Sequence, residues 1–161
     1  MKENMKEKKI TIGEALAEKK KLQNRLSKCN ELLKKSYYYK NKPDFDYKKL
    51  QKEIKSLIET IRDLKLHIIR TNLSTNVVYK NKDMSIAELI IRIADVRSQI
   101  SVLNELYEPN DYYSRFRRDE DENVQPQIPP EEVEEEISRL NAEKTELDAL
   151  LQHTNWTKEL I

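Results

Sequence analysis

Tyr112, Tyr113, Ser114, Arg115, Phe116, Arg117 and Arg118 stand in unbroken succession, and this mixture of guanidinium, hydroxyl and aromatic groups suits a small, planar, anionic ligand. Arginine grips phosphate or carboxylate through two parallel N–H bonds and also lies flat on rings, while tyrosine offers a stacking surface with a polar edge. Two further clusters share that character: Arg70, Thr71 and Asn72 with Thr75 just beyond, and His153, Thr154, Asn155 and Trp156. Brought together, Arg70, Thr71, Asn72, Thr75, Tyr112, Tyr113, Ser114, Arg115, Arg117, His153, Asn155 and Trp156 would form a pocket for a nucleotide or nucleotide-like metabolite. The plainer reading of the same residues is architectural. Asparagine in the left-handed conformation ends helices where glycine is missing, and a basic residue in the last turn suits the helix dipole. The arginines of the loop are followed directly by Asp119, Glu120, Asp121 and Glu122, with which they can pair in solvent.

The sequence gives little support to catalysis. His67 and His153 are the two histidines, and neither belongs to a metal-binding spacing, so no metal is expected. Cys29, the one cysteine, falls on an apolar stripe and reads as a small core residue, not a nucleophile. A single glycine in 161 residues excludes the glycine-rich phosphate loops, whose backbone must approach the phosphate closely. The many carboxylates lie on hydrophilic faces. The protein is therefore expected to be a non-enzyme with no catalytic residue and no cofactor.

Helices must position these clusters. Residues 1–9 form a charged, apolar-poor tail, expected to be disordered, and residues 10–161 a single helical domain. Helices are expected at about 11–38, 45–72, 85–108 and 130–155. Thr11 with Glu14 makes one capping box and Ser85 with Glu88 another; Asp44 or Asp46 caps the second helix. Ile12, Leu16, Leu22, Leu26, Cys29 and Leu33 line the first helix, interrupted by Lys19. Tyr47, Leu50, Ile54, Leu57, Ile61, Leu64 and Ile68 step 3-4-3-4 along the second, and Ile86, Leu89, Ile93, Val96, Ile100, Leu103 and Tyr107 do so along the third, as in coiled-coil seams. Pro129 and Pro130 open the fourth, whose first turns are acidic and whose stripe of Val133, Ile137, Leu140, Leu147 and Leu151 carries Lys144 at a core-type position. Residues 73–83, with Val77, Val78 and Tyr79 before Lys80 and Asn81, read as a very short hairpin in which asparagine takes the positive φ. The loop 109–129 is long for a helix connection, the mark of a functional or disordered segment.

The fold class is thus all-α, long antiparallel helices in a four-helix arrangement with one short β-hairpin insertion. Seams of this width bury less than a compact monomeric bundle needs, which points to a homo-oligomer using Ile58, Ile69, Ile90, Ile91 and Leu150 for its contacts. Residues 1–70 carry 20 basic and 10 acidic side chains, about +10, and residues 71–161 carry 10 and 19, about −9. Basic and acidic helices lying against each other, within the fold or across subunits, account for this more simply than nucleic acid, which a near-neutral total disfavours. No apolar run exceeds three or four residues, so no membrane span or export signal is expected, and the location is expected to be cytoplasmic.

The segments ITIGEAL, IIRTNLSTN, DMSIAEL, YYSR and HTNWTKEL, in this order over roughly residues 10–161, resemble the septicolysin-like family of uncharacterised small bacterial proteins, a domain-of-unknown-function family. The resemblance implies a helical, oligomeric protein with a TN motif ending the second helix, a hairpin before the third, a YSR loop and a terminal NW. Its positions here are Thr71, Asn72, Thr75, Tyr113, Ser114, Arg115, Asn155 and Trp156. The chain departs from the pattern at Ile69, at Lys82 and in residues 36–46, which look inserted.

Together these observations predict a small anionic or nucleotide-like ligand bound where helix ends meet the YYSR loop, with sequestration as one use of that binding. The competing expectation is a coiled-coil structural or adaptor protein without a ligand.

Overall fold

The computed structural model describes residues 9–38, 46–107 and 127–161. Among them are four helices, α1 (Ile12–Lys35), α2 (Tyr47–Ser74), α3 (Ile86–Tyr107) and α4 (Pro130–Thr157), and two strands, β1 (Asn76–Tyr79) and β2 (Lys82–Ser85), paired as an antiparallel hairpin. Both capping boxes form: Glu14 N–H donates to Thr11 Oγ1 at 3.1 Å while Thr11 N–H donates to Glu14 Oε2 at 2.7 Å, and Ser85 and Glu88 repeat the exchange at 3.1 and 2.6 Å. The Ser85 backbone N–H, with its hydroxyl, holds the Glu88 carboxyl below the usual carboxylate range. Asp46, not Asp44, caps α2, its Oδ1 accepting from the Lys48 and Lys49 N–H groups.

The contacts gather into two compact units, Met1–Val77 with Gln152–Ile161, and Val78–Leu151. In the first, α1 and α2 pack antiparallel. Cys29 near the end of α1 clusters with Leu50 and Leu57 from the first half of α2, with Leu22, Leu26, Leu33 and Ile54 packed around them, and Arg25 Nε donates to Glu53 at 2.7 Å beside this core. The periodic stripe of α2 lies inward: Leu50, Leu57, Ile61 and Ile68 are buried, Ile54 and Leu64 half-buried, whereas Tyr47 in the first turn stays exposed.

In the second unit Tyr79, Ile86, Leu89, Ile93, Val96, Val133, Leu140 and Leu147 are buried, and charged pairs flank them. Arg92 donates to Glu143 at 2.6 and 3.0 Å and Arg97 to Asp148 at 2.9 Å. Lys144, at its core-type position, is half-buried and reaches Asp148 at 3.1 Å. The hairpin turns on two left-handed residues, Lys80 (φ 47°) and Asn81 (φ 63°), the pattern of a type I′ turn. Asparagine fills one such position, as its sequence suggests, and lysine fills the other at a steric cost of about 1–2 kcal/mol. Tyr79 Oη donates to Glu146 at 2.8 Å and, with the Lys80 ammonium, keeps that carboxyl below its usual range.

Ion pairs of the described residues run mainly inside each charged half of the sequence. Arg25–Glu53 lies in the basic half; Arg92–Glu143, Arg97–Asp148 and Lys80–Glu146 lie in the acidic half. The long-range asymmetry is thus not consumed by these pairs.

Candidate functional site

Within the first unit, the start of α1, the end of α2 and the end of α4 are tied together by the four residues that follow α4. The Ile12 N–H, one of the donors left over at the start of α1, donates to the Lys158 carbonyl at 3.0 Å, and the Leu160 N–H donates to the Ile10 carbonyl at 2.8 Å. Thr11 and Glu159 pair as an antiparallel bridge, and Lys9 reaches Glu159 at 2.9 Å. The Ile161 N–H donates to Thr71 Oγ1 at 3.0 Å, while that hydroxyl donates to the His67 carbonyl at 2.8 Å. Thr71 is completely buried and both roles of its hydroxyl are taken, so it positions this junction and offers nothing to a ligand.

The two asparagines are not caps. α2 runs past Asn72 to Ser74, with Thr75 as an extended C-cap (φ −100°, ψ 123°) whose N–H donates to the Thr71 carbonyl. α4 runs past Asn155 to Thr157, and among the described residues only Lys80 and Asn81 have positive φ. Ser74 Oγ donates to the Arg70 carbonyl at 2.9 Å and Thr157 Oγ1 to the His153 carbonyl at 2.8 Å, back-bonds to the preceding turn of the same kind as those of Thr60 and Thr145 in mid-helix. Asn72 is half-buried, and its Oδ1 is buried with no hydrogen-bond partner among the described residues. A buried acceptor without a donor is costly, so this amide is not explained by helix termination.

Trp156 is held at the same junction by Gly13, a residue that the chemistry-first reading of the sequence passes over. A Cβ on Gly13 would stand 2.8 Å from the indole Cδ2 and Cε3 and 3.1 Å from the Asn155 carbonyl oxygen. The chain's single glycine therefore lets the indole lie against the first turn of α1, while 62% of the residue remains exposed. The available signal is a glycine two residues after a capping threonine, where nothing in the capping motif requires it. Arg70 and His153 are exposed, Thr75 and Asn155 half-buried. Tyr112, Tyr113, Ser114, Arg115 and Arg117 lie outside the described residues.

Chemically, this end of the unit presents an aromatic surface, amides and a guanidinium, a set for stacking and hydrogen bonding. Cys29 is remote from such work, buried in the α1–α2 core where burial, then the Glu53 carboxylate, pushes its thiol pKa up. Among the described residues no group of three or more His, Cys, Asp or Glu side chains could hold a metal ion, and no helix is long and apolar enough to cross a membrane.

A solved structure, that of a functionally unknown conserved protein from Corynebacterium diphtheriae, is similar to this chain over 95% of its length and 99% of the other, with 24% identity and a TM-score of 0.80; the likeness is one of fold. Among curated proteins none matches. The profile of a family of unknown function, DUF6847, matches residues 19–160, a stretch that holds the ends of α2 and α4 and the hairpin, and the chain belongs to that family.

Proposed function

We propose that the protein is a non-enzymatic, helical homo-oligomer that binds and sequesters a small anionic or nucleotide-like ligand at the junction of helix ends, with the YYSR segment as a further contributor. The observation that carries this reading is Trp156, a large aromatic seated on a glycine with most of its surface open to a partner. Asn72, freed from a capping role and with an unmatched acceptor, adds the polar specificity that such sites combine with a stacking surface. Arg70, with Arg115 and Arg117, would supply the anion grip. The second reading, a coiled-coil structural or adaptor protein, is favoured by Thr71, whose hydroxyl serves the fold alone.

A ligand held by the native state raises its stability, by about 2.7 kcal/mol at a hundredfold excess over Kd. Thermal unfolding against a panel of nucleotides and phosphorylated metabolites is expected to show at least one stabilising member. The Arg115→Ala variant is expected to keep its helicity by circular dichroism and to lose that stabilisation. An equal response in the variant removes the YYSR segment from the site, and a panel without any response favours the scaffold.

A further inference from the structure

We propose that two helix faces, one on α2 and one on α3, join copies of this chain to each other. Ile58, Leu66, Ile69 and Leu73 of α2 are between 41 and 63% exposed, and with Arg62 they occupy about 80° of arc at 100° per residue. This face is separate from the one that buries Leu57, Ile61 and Ile68. On α3, Ile91, Val102 and Leu106 are between 56 and 62% exposed, and with Asp95 and Ser98 they occupy a similar arc of about 80°.

The two faces share four positions of one spacing, while Leu66 of the α2 face corresponds to Gln99 on α3. Counted from Ile58 and from Ile91, a charged residue stands four positions on and large aliphatic residues eleven and fifteen positions on. The charge is of opposite sign, Arg62 on α2 and Asp95 on α3, and neither residue has an ion-pair partner among the described residues. Of their charged neighbours, Lys55 and Lys65 on α2 and Glu88 and Glu105 on α3 carry the same contrast, while Glu59 and Arg92, at equal positions in the two faces, carry the reverse one. The α3 face also borders a groove of about 560 Å³ lined by Asp95, Ser98, Val102 and Leu103 with Glu136 and Leu140 of α4, an acid-rimmed apolar trough suited to an aliphatic ridge with a basic edge.

The occupant is a second copy. Both faces are exposed, and the face that complements each in spacing and charge belongs to this same chain. Parallel seating in register sets Ile58 over Ile91, Arg62 opposite Asp95, Ile69 over Val102 and Leu73 over Leu106. Two different faces meet, so the contact is heterologous and closes into a ring or continues as a chain. The inference rests on the homo-oligomer part of the proposed function and not on its ligand.

Sedimentation velocity of the full chain tests it. The native sequence is expected to sediment as a multimer. Arg62→Glu and Asp95→Arg, each alone, set like charges face to face and are expected to weaken self-association by about tenfold or more, with helicity unchanged by circular dichroism. The combined variant, R62E with D95R, is expected to restore it. Single variants that associate as tightly as the native chain, or a combined variant that stays dissociated, overturn this interface while leaving a homo-oligomer standing. A monomeric native chain overturns both.

Discussion

Gly13→Ala is expected to lift the Trp156 indole from the start of α1 and to change the fluorescence of the protein, in which Trp156 is the single tryptophan. The new Cβ meets two carbons in the body of a rigid bicyclic ring at 2.8 Å, and no rotation of an outer atom relieves that contact. Two effects oppose each other. Alanine in place of glycine gains about 0.5–1 kcal/mol of backbone entropy in a helix, whereas overpacking costs about 1–3 kcal/mol. The clash should win by about 1 kcal/mol, which lowers Tm by roughly 2–4 °C in a protein of this size. The same substitution in a Trp156→Ala background is expected to cost markedly less, since only the Asn155 carbonyl at 3.1 Å remains to be met. The interaction energy of that double-mutant cycle isolates the contact. Unchanged emission in Gly13→Ala, with additive stabilities, would show that the indole does not rest there in solution.

Leu147→Ala is expected to have the largest effect on stability of any single substitution proposed for this chain. Leu147 on α4 is completely buried. Its truncation removes apolar burial and leaves a cavity, a combined cost of about 2–5 kcal/mol and a Tm lower by roughly 5–15 °C. Leu147→Met keeps the volume and should cost less than about 1.5 kcal/mol. Chemical denaturation of both variants checks the contrast; an alanine variant as stable as the methionine variant would contradict this core.

Much of this architecture is legible in the residues. Leu147 and Leu140 sit on the apolar stripe of the fourth helix, Thr11–Glu14 and Ser85–Glu88 declare two helix starts, and the 3-4 alternation of α2 and α3 marks their inward faces, because each signal is a local side-chain property. The end of α2 is less legible. Asn72 reads as a stop, yet the helix runs on to Ser74 and ends where the backbone turns extended at Thr75. Lys80 gives no warning of its left-handed conformation, being held there by the strand pairing on either side. Least legible is the junction itself. Ile12–Lys158 and Leu160–Ile10 are backbone bonds, indifferent to side-chain type, and Gly13 matters through what it leaves empty. The residues proposed as ligands on α2 and α4 therefore differ in their surroundings: Thr71 is buried with its hydroxyl bonded inside the fold, Asn72 carries a buried acceptor without a partner among the described residues, and Trp156 stays largely exposed.

The most direct test of a recognition site at these helix ends is native mass spectrometry of freshly purified protein, followed by denaturation and identification of what is released. A multiple of the 19.2 kDa chain that carries and then sheds a small anionic molecule, whose return shifts the Trp156 emission, is the predicted result. A protein that releases nothing, and whose Trp156 emission no nucleotide or phosphorylated metabolite moves, would contradict it.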